Sequence, residues 1–331
     1  MNRQRHMKGL LRLLLLAGFF GGFAAPALAQ TVGINEARRT LDGIIRSGNG
    51  ISSLLVYVNF AALPEVSSGN LVVDAGLGEP EAELANFGLG GDTAVDLNGF
   101  PLYLEGNLGA ARISADFLVD DPVIGSTVLH PDWTIYTATV GVGAEFAVSE
   151  HWVVRPILLA GGGRVVNSTD FEGPGSDELQ SALDGLITNW KTGVALYGVA
   201  AMAEYENLND RYELNAKLRL THVEVVTVNT PSPAFDAQVG ADTANLFARL
   251  GQPTPYRLFD RPLRWLLQAN GSVFLGDQRD ALGFSWLSSV GVGLEADFAE
   301  KNDFVSRARL TLSGFVGDHV SGYALGLGIS F

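Results

Sequence analysis

The clearest pattern in this chain is an alternation of large apolar residues with small or polar ones at a period of two. It is complete in the last nine residues, where the residues between the large ones are alanine, glycine or serine. The large residues there are Tyr323, Leu325, Leu327, Ile329 and Phe331. A period of two is that of a β-strand. A strand with one apolar face and one face of small groups is typical of a transmembrane barrel, where lipid lies outside and the lumen inside.

The same alternation recurs along the chain, most strongly over 133–148 and 282–298. We therefore predict an all-β fold, an antiparallel transmembrane β-barrel of about 12 strands. The span 61–97 and the proline-containing span 229–261 are the hardest to divide, so a count of 10 strands stays open. The predicted strands are 51–60, 84–97, 100–113, 133–148, 151–165, 191–206, 211–228, 243–250, 263–275, 282–298, 304–316 and 320–331.

Two segments precede the predicted barrel, which covers 51–331. Residues 1–29 have a basic start, an apolar run and the ending Ala27-Leu28-Ala29, which indicate a cleaved signal peptide. Residues 30–50 carry apolar residues at helical spacing and end at Gly48-Asn49-Gly50, so we predict a short N-terminal helix. This helix would lie either in the lumen or in the periplasm.

The lengths of the connections between the predicted strands predict the orientation of the barrel in the membrane. Counted back from a periplasmic C-terminus, the short turns near residues 98, 150, 208 and 300 fall on the periplasmic side. The long spans 114–132 and 166–188 fall outside, as outer-membrane barrels require. Within the second span, Ser176-Asp177-Glu178 predicts the start of a short helix with Leu179 and Leu183 on one side.

Composition narrows the class of protein. The chain has a net charge of −14, and removal of the four basic residues of 1–29 brings it to −18. An acidic protein does not favour nucleic acid as a partner. There is no cysteine, which excludes disulfides and thiol chemistry. We expect no cofactor, and the histidines are scattered without the spacing of a metal site.

These features together resemble a known family. A signal peptide, about 12 strands and a terminal strand that ends in phenylalanine are similar to the translocator barrel of autotransporters. Only about 20 residues separate Gln30 from the first predicted strand, so the chain is most similar to the solitary outer-membrane autotransporter-like barrels, which lack a passenger. The resemblance implies a monomer in the outer membrane of a Gram-negative bacterium. It also implies that the terminal strand, from Tyr323 to Phe331, is an assembly signal for the barrel-assembly machinery.

Charged residues on the inward faces form the first candidate site. Folding the hairpin about residue 301 places Glu295 opposite Arg307, with Asp297 and Arg309 on the same inward face. Such a lumen polar cluster is either a packed polar core or the lining of a pore, and we favour packing. A structural or surface-interaction role is therefore the leading hypothesis, and a small channel or transporter for hydrophilic solutes is the alternative.

One pair of residues suggests an enzyme. His319 and Ser321 are similar to the His-x-Ser pair of outer-membrane phospholipase A. However, Gly317, Asp318 and Gly322 surround them, which predicts a turn. Asp318 would point to the opposite face from His319 and would orient it poorly. We expect no hydrolase activity and no catalytic residue.

Overall fold

The computed structural model describes Leu55 and Val58 together with most of the chain from residue 69 onward. The described ranges are 69–73, 82–121, 125–185, 188–231, 233–258, 261–282, 284–298, 307–318 and 320–330. The predicted signal peptide and the predicted helix at 30–50 lie outside these residues. No helix in the described ranges is long and apolar enough to cross a membrane.

The described residues form one antiparallel sheet that closes on itself. The strands are β1 (Gly69–Val73), β2 (Ala82–Leu97), β3 (Phe100–Ala115), β4 (Phe117–Asp121), β5 (Gly125–Ala144), β6 (Phe146–Ala147), β7 (Trp152–Glu172), β8 (Lys191–Leu208), β9 (Glu213–Val228), β10 (Gln238–Leu258), β11 (Arg261–Leu275), β12 (Trp286–Asp297), β13 (Arg307–Gly317) and β14 (Val320–Ser330). The helices are α1 (Ser176–Leu183), α2 (Asp277–Leu282) and a 3-10 turn at Pro233–Phe235.

Twelve of these strands make the barrel wall. β4 extends the line of β3 beside β5, and β6 extends the line of β5 beside β7, so neither adds a position to the ring. The ring closes where β1 pairs with β14, from Gly69 opposite Ala324 to Val73 opposite Val320. Among the described residues the prediction of about 12 strands is therefore confirmed, and closure leaves no continuous free sheet edge.

The first predicted strand was wrong. Leu55 and Val58 are helical and completely buried, so 51–60 is not the first strand of the wall. That position is taken by β1, which has only five residues and carried no strand signal of its own. The stretch 51–60 is rich in apolar residues, and a short apolar run does not distinguish a strand from a buried helix.

The strand predicted at 243–250 exists but is much longer, because β10 runs from Gln238 to Leu258. The register with β11 shifts between Pro253 and Arg257. Proline has no N–H for the ladder, and strands accept it at such irregularities. The pattern in the sequence stops where the prolines begin, although the strand continues.

The two ends of the barrel differ in their connections. At the end we call the short-turn end, β2 joins β3 through Asn98 and Gly99, both with positive φ, as a two-residue hairpin requires. At the opposite, long-loop end lie α1, α2 and the 3-10 turn. The predicted loops 114–132 and 166–188 are at this end, but both contain strand: β4, the start of β5 and the last part of β7 extend through them.

The outside of the barrel is an apolar belt. The outward residues of β14 are Tyr323, Leu325 and Leu327, exposed by 63%, 56% and 77%. Trp286, Val290 and Leu294 of β12 are exposed in the same way. Side chains that would be unfavourable in water are accommodated where lipid surrounds the wall.

Candidate functional site in the barrel lumen

The inward face of most wall strands changes its chemistry along the barrel. In β9 the inward residues nearest the short-turn end are Glu213, Asn215, Lys217 and Arg219, and those nearest the long-loop end are Val223 and Val225. β3 changes in the same direction, from Tyr103 and Glu105 to Ala111 and Ile113. The lumen therefore has a charged half and an apolar half.

Part of the charged half is a group of side chains that we call the central ion-pair group, formed by Glu105, Arg155, Glu204, Lys217 and Arg219. Arg219 reaches across the lumen and donates to both carboxylate oxygens of Glu105, Nη1 at 2.8 Å and Nη2 at 2.6 Å. β3 and β9 are not neighbours in the wall. The Tyr103 hydroxyl also donates to Glu105, at 3.0 Å. A bidentate pair of this kind fixes both side chains.

The rest of this group surrounds Glu204, whose side chain is 9% exposed. Arg155 forms an ion pair with it, and Lys217 Nζ lies 3.2 Å from its Oε1. Asn215 Nδ2 donates to the same oxygen at 2.5 Å. Arg155 Nε donates in addition to Glu145 Oε2 at 2.7 Å. A buried carboxylate is tolerated when its oxygens are paired in this way.

The predicted lumen polar cluster lies nearer the short-turn end. Glu295 is 2% exposed, with Arg309 Nε 3.1 Å and Arg307 Nη1 3.5 Å from its carboxylate. The wall register places Glu295 opposite Arg309 and Asp297 opposite Arg307. The prediction that Glu295 lies directly opposite Arg307 was therefore wrong by two residues. A shift of two residues leaves each side chain on the same face of the sheet. Arg307 contacts Glu295 diagonally.

This cluster contains two residues that the sequence did not connect to it. Glu213 of β9 accepts from Arg307 across the lumen, with oxygens at 2.5 and 3.0 Å from Nη1 and Nη2. Arg264 of β11 lies 3.1 Å from Glu213 and 3.5 Å from Asp297. We call Glu213, Arg264, Glu295, Asp297, Arg307 and Arg309 the rim ion-pair group.

A cavity of about 540 Å³ lies between these charged side chains. Its lining includes Glu105, Arg155 and Lys217 of the central group, Arg309 of the rim group, and Arg249 of β10. The cavity is therefore polar and carries both signs of charge.

The apolar half is filled by a cluster that we call the outer core. It joins inward wall residues such as Ile135, Leu196 and Phe274 to residues of the long-loop end. The residues from the long-loop end are Leu179 and Leu183 of α1, Phe235, Leu282 and Phe284. Leu55 and Val58, each fully buried, belong to the same cluster.

The charged side chains described above give the lumen an ionic chemistry. The described residues contain no group of three metal-ligating side chains. Of the pair His319 and Ser321, His319 lies outside the described residues, and Ser321 is an exposed residue of β14 rather than of the turn. Asp318 accepts hydrogen bonds from the Ser285 hydroxyl and from Trp286 Nε1, the latter at 2.6 Å.

The structure describes some, but not all, residues of the predicted assembly signal. Tyr323, Leu325 and Leu327 point outward, and Ile329 pairs with Ala308 in the backbone register. Phe331 lies outside the described residues.

Sequence reasoning missed the cross-lumen contacts of Glu105, Arg219 and Glu213, and it missed the outer core. A signal for both was available. The inward residues of most wall strands change from charged to apolar in the same direction, and aligning the strands by their turns would have shown two layers.

The fold and its surface define a class: this is an outer-membrane β-barrel. Residues 99–327 match the model of the solitary outer membrane autotransporter beta-barrel domain, and the chain belongs to this family. The protein is thus located in the bacterial outer membrane. Because outer-membrane barrels have short periplasmic turns and longer external loops, we assign the short-turn end to the periplasm and the long-loop end to the outside.

Three of the solved structures that match this chain are domains of autotransporters. The transport unit of AIDA-I from Escherichia coli is 12% identical, with 84% of this chain and 98% of that one covered, at a TM-score of 0.48. The β domain of BrkA from Bordetella is also 12% identical, with 80% and 96% covered, at 0.44. The translocator domain of NalP from Neisseria meningitidis gives 12% identity, 80% and 86% coverage, and 0.44. Comparison with curated proteins gave no match.

Proposed function

We propose that this barrel has a structural or surface-interaction role and is not an open channel. The observation that supports this most directly is the outer core. An apolar layer of buried residues, which includes Ile135, Leu196 and Phe274, lies in the external half of the lumen. An ion that passed from the polar half into this apolar layer would lose its hydration shell without gaining a polar partner. That loss of hydration is very costly.

We further propose that the segment at 30–50 continues the lumenal filling toward the periplasm. Leu55 and Val58 support this, because they bring the chain just after that segment into the outer core. Residues 1–29 would be removed on export, which leaves Gln30 as the first residue. The mass of the protein recovered from outer membranes tests this cleavage.

The alternative function, a small channel for hydrophilic solutes, is favoured by the 540 Å³ polar cavity. Single-channel recording of the refolded protein in a planar bilayer separates the two. We expect no stable open state in the unaltered protein. Replacing Leu55 and Val58 together with asparagine should introduce a leak, since the outer core then contains polar groups. Steady conductance through the unaltered protein would favour the channel.

The C-terminal strand is proposed to be read by the barrel-assembly machinery, with the protein assembled as a monomer. The outward row of Tyr323, Leu325 and Leu327 supports this, because such a row is available to another protein before lipid covers it. Deletion of Phe331 should reduce the heat-modifiable, folded form in outer membranes, and an unchanged amount of that form would contradict the proposal.

We also propose that the barrel is not a hydrolase. The exposure of Ser321 and the engagement of Asp318 by Ser285 and Trp286 support this. Phospholipid hydrolysis by the purified protein and by its Ser321→Ala variant provides the test. Turnover that is lost in the variant would establish an enzyme instead.

A further inference from the structure

The apolar belt has the same height on three strands of one side of the barrel. Its outward residues run from Phe100 to Ala110 in β3, from Trp152 to Gly162 in β7 and from Ala195 to Tyr205 in β8, with no charged side chain among them. Ten residues of strand at roughly 3.3 Å each, tilted by about 40°, span ~25 Å, the height of a lipid-facing band. The external boundary of the membrane on this side is therefore well defined.

Three basic residues lie just beyond this boundary on the outside. The next outward residue is Arg112 in β3 and Arg164 in β7, and in β8 it is Gly193 followed by Lys191. All three side chains are exposed. The register connects them, since Arg112 and Lys191 lie at the two ends of a row that passes through Thr134 and Val166. We call Arg112, Arg164 and Lys191 the outer basic patch.

Two of the three basic residues of the outer basic patch are unpaired among the described residues, although the chain as a whole is acidic. Arg164 and Lys191 have no hydrogen-bond or ion-pair partner within the described part of the chain, and they lie diagonally across β7 and β8, roughly 7–8 Å apart. Arg112 is paired with Asp132, and its side chain is still 67% exposed. On the neighbouring strands, Glu224 and His222 of β9 are opposite Tyr197 and Val199 of β8, and Asp242 of β10 is opposite His222, so the outward charge on β9 and β10 is mainly acidic.

Aromatic and aliphatic side chains lie directly below the patch. Tyr136 is opposite Arg164 in the register and is 55% exposed, and Tyr197 and Val199 of β8 are exposed by 50% and 51%. Aromatic side chains at this height are typical of a membrane interface. The same surface thus offers cations at headgroup height and an apolar wall for acyl chains.

We propose that the outward face of β3, β5, β7 and β8 binds a phosphorylated glycolipid of the outer leaflet. Arg164 and Lys191 bind one phosphate, and Arg112 lies near a second. Arg112 and Lys191 are three strand spacings apart, about 14 Å. That separation suits a headgroup that carries phosphates at both ends of a disaccharide better than one with a single phosphate. Arginine and lysine are the side chains that bind phosphate most strongly.

The test uses the full-length protein in phosphatidylcholine nanodiscs, with native mass spectrometry as the measurement of bound lipid. The probe is lipid A with two phosphates, and the comparison lipids are its monophosphoryl form and phosphatidylglycerol. We expect retention of the two-phosphate form. Arg164→Gln and Lys191→Gln should each weaken it about fivefold, and the double variant ~30-fold.

Arg211 supplies the matched control, because it is an exposed arginine in the turn at the periplasmic end. Arg211→Gln removes the same charge from the protein and should leave lipid A binding unchanged. Heat-modifiable migration shows that each variant is folded. Equal binding by the double variant and the unaltered protein would overturn the proposal. Equal retention of phosphatidylglycerol would overturn the assignment to a glycolipid.

Discussion

The charged half and the apolar half of this lumen are filled in different ways. In the charged half, long side chains from opposite walls meet, as Arg219 and Glu105 do. In the apolar half, most of the wall residues are shorter aliphatic ones, and other parts of the chain enter: α1, Phe235, Phe284, Leu55 and Val58.

Barrel width explains the difference. Eight strands leave an interior that wall side chains alone can fill, and twelve leave more. Arginine and glutamate are long enough to span the larger space, but valine and leucine are not. The apolar half therefore depends on added segments, while the charged half keeps a cavity between its ion pairs.

The largest effect is expected in the outer core. Phe274 is fully buried, with its ring 5.5 Å from that of Phe284. Phe274→Ala should lower the free energy of unfolding by about 3–5 kcal/mol. Denaturant unfolding in detergent measures it. Phe87→Ala is the control, because Phe87 is 57% exposed on the outside and its loss creates no buried cavity. Equal losses would show that the outer core is not tightly packed.

In the charged half, removal of one partner of an ion pair should cost less than this. Arg219→Met leaves Glu105 without its bidentate partner, at a cost of ~3 kcal/mol. Adding Glu105→Gln to this variant should recover a large part of that loss, since the unpaired charge is then removed. A double-mutant cycle by denaturant unfolding gives the coupling. If the losses of unfolding free energy in the two single variants simply added in the double variant, Glu105 would be fully hydrated by water in the cavity.

The apolar belt on the outer surface of the barrel allows a test of how deep individual residues lie in the membrane. Val290, 62% exposed in the middle of β12, should lose about 2–4 kcal/mol on replacement by arginine. Trp286 starts the same strand and donates to Asp318, so Trp286→Arg should cost only ~0–1 kcal/mol. Refolding into lipid vesicles compares the two. A larger loss at Trp286 would shift the belt toward the outside.

The smallest expected effect concerns β4 and the start of β5, which extend the barrel wall at the long-loop end. His130 Nδ1 lies 2.7 Å from Asp116 Oδ1, and this hydrogen bond raises the pKa of the exposed His130 imidazole. Because the pKa is raised in the folded state, the contact is fully present below the unfolded pKa of about 6.5 and is lost as pH rises through the folded pKa. The hydrogen-exchange protection of β4, corrected for the intrinsic rise of amide exchange with pH, should therefore fall in that range, and His130→Gln should remove this fall.

Much of the wall was predictable because period-two alternation is a local property. The outward row of β14, the inward row of β9 and the hairpin at Asn98 follow from neighbouring residues alone. The same holds for the side on which Glu295, Asp297, Arg307 and Arg309 lie. A shift by two residues, as in the pairing of Glu295 with Arg309, leaves this side unchanged and is invisible to the pattern.

The sequence by itself determined where most of the wall strands lie, which face of each meets lipid, and the class of protein, since each of these depends on alternation and turn residues. Only the tertiary structure decided which charges meet across the lumen, because Glu105 and Arg219 are 114 residues apart and belong to walls that face each other. It also decided that β1 closes the ring and that Leu55 and Val58 are helical core residues. A short apolar segment adopts the conformation that its surroundings stabilise, and those surroundings exist only in the closed barrel.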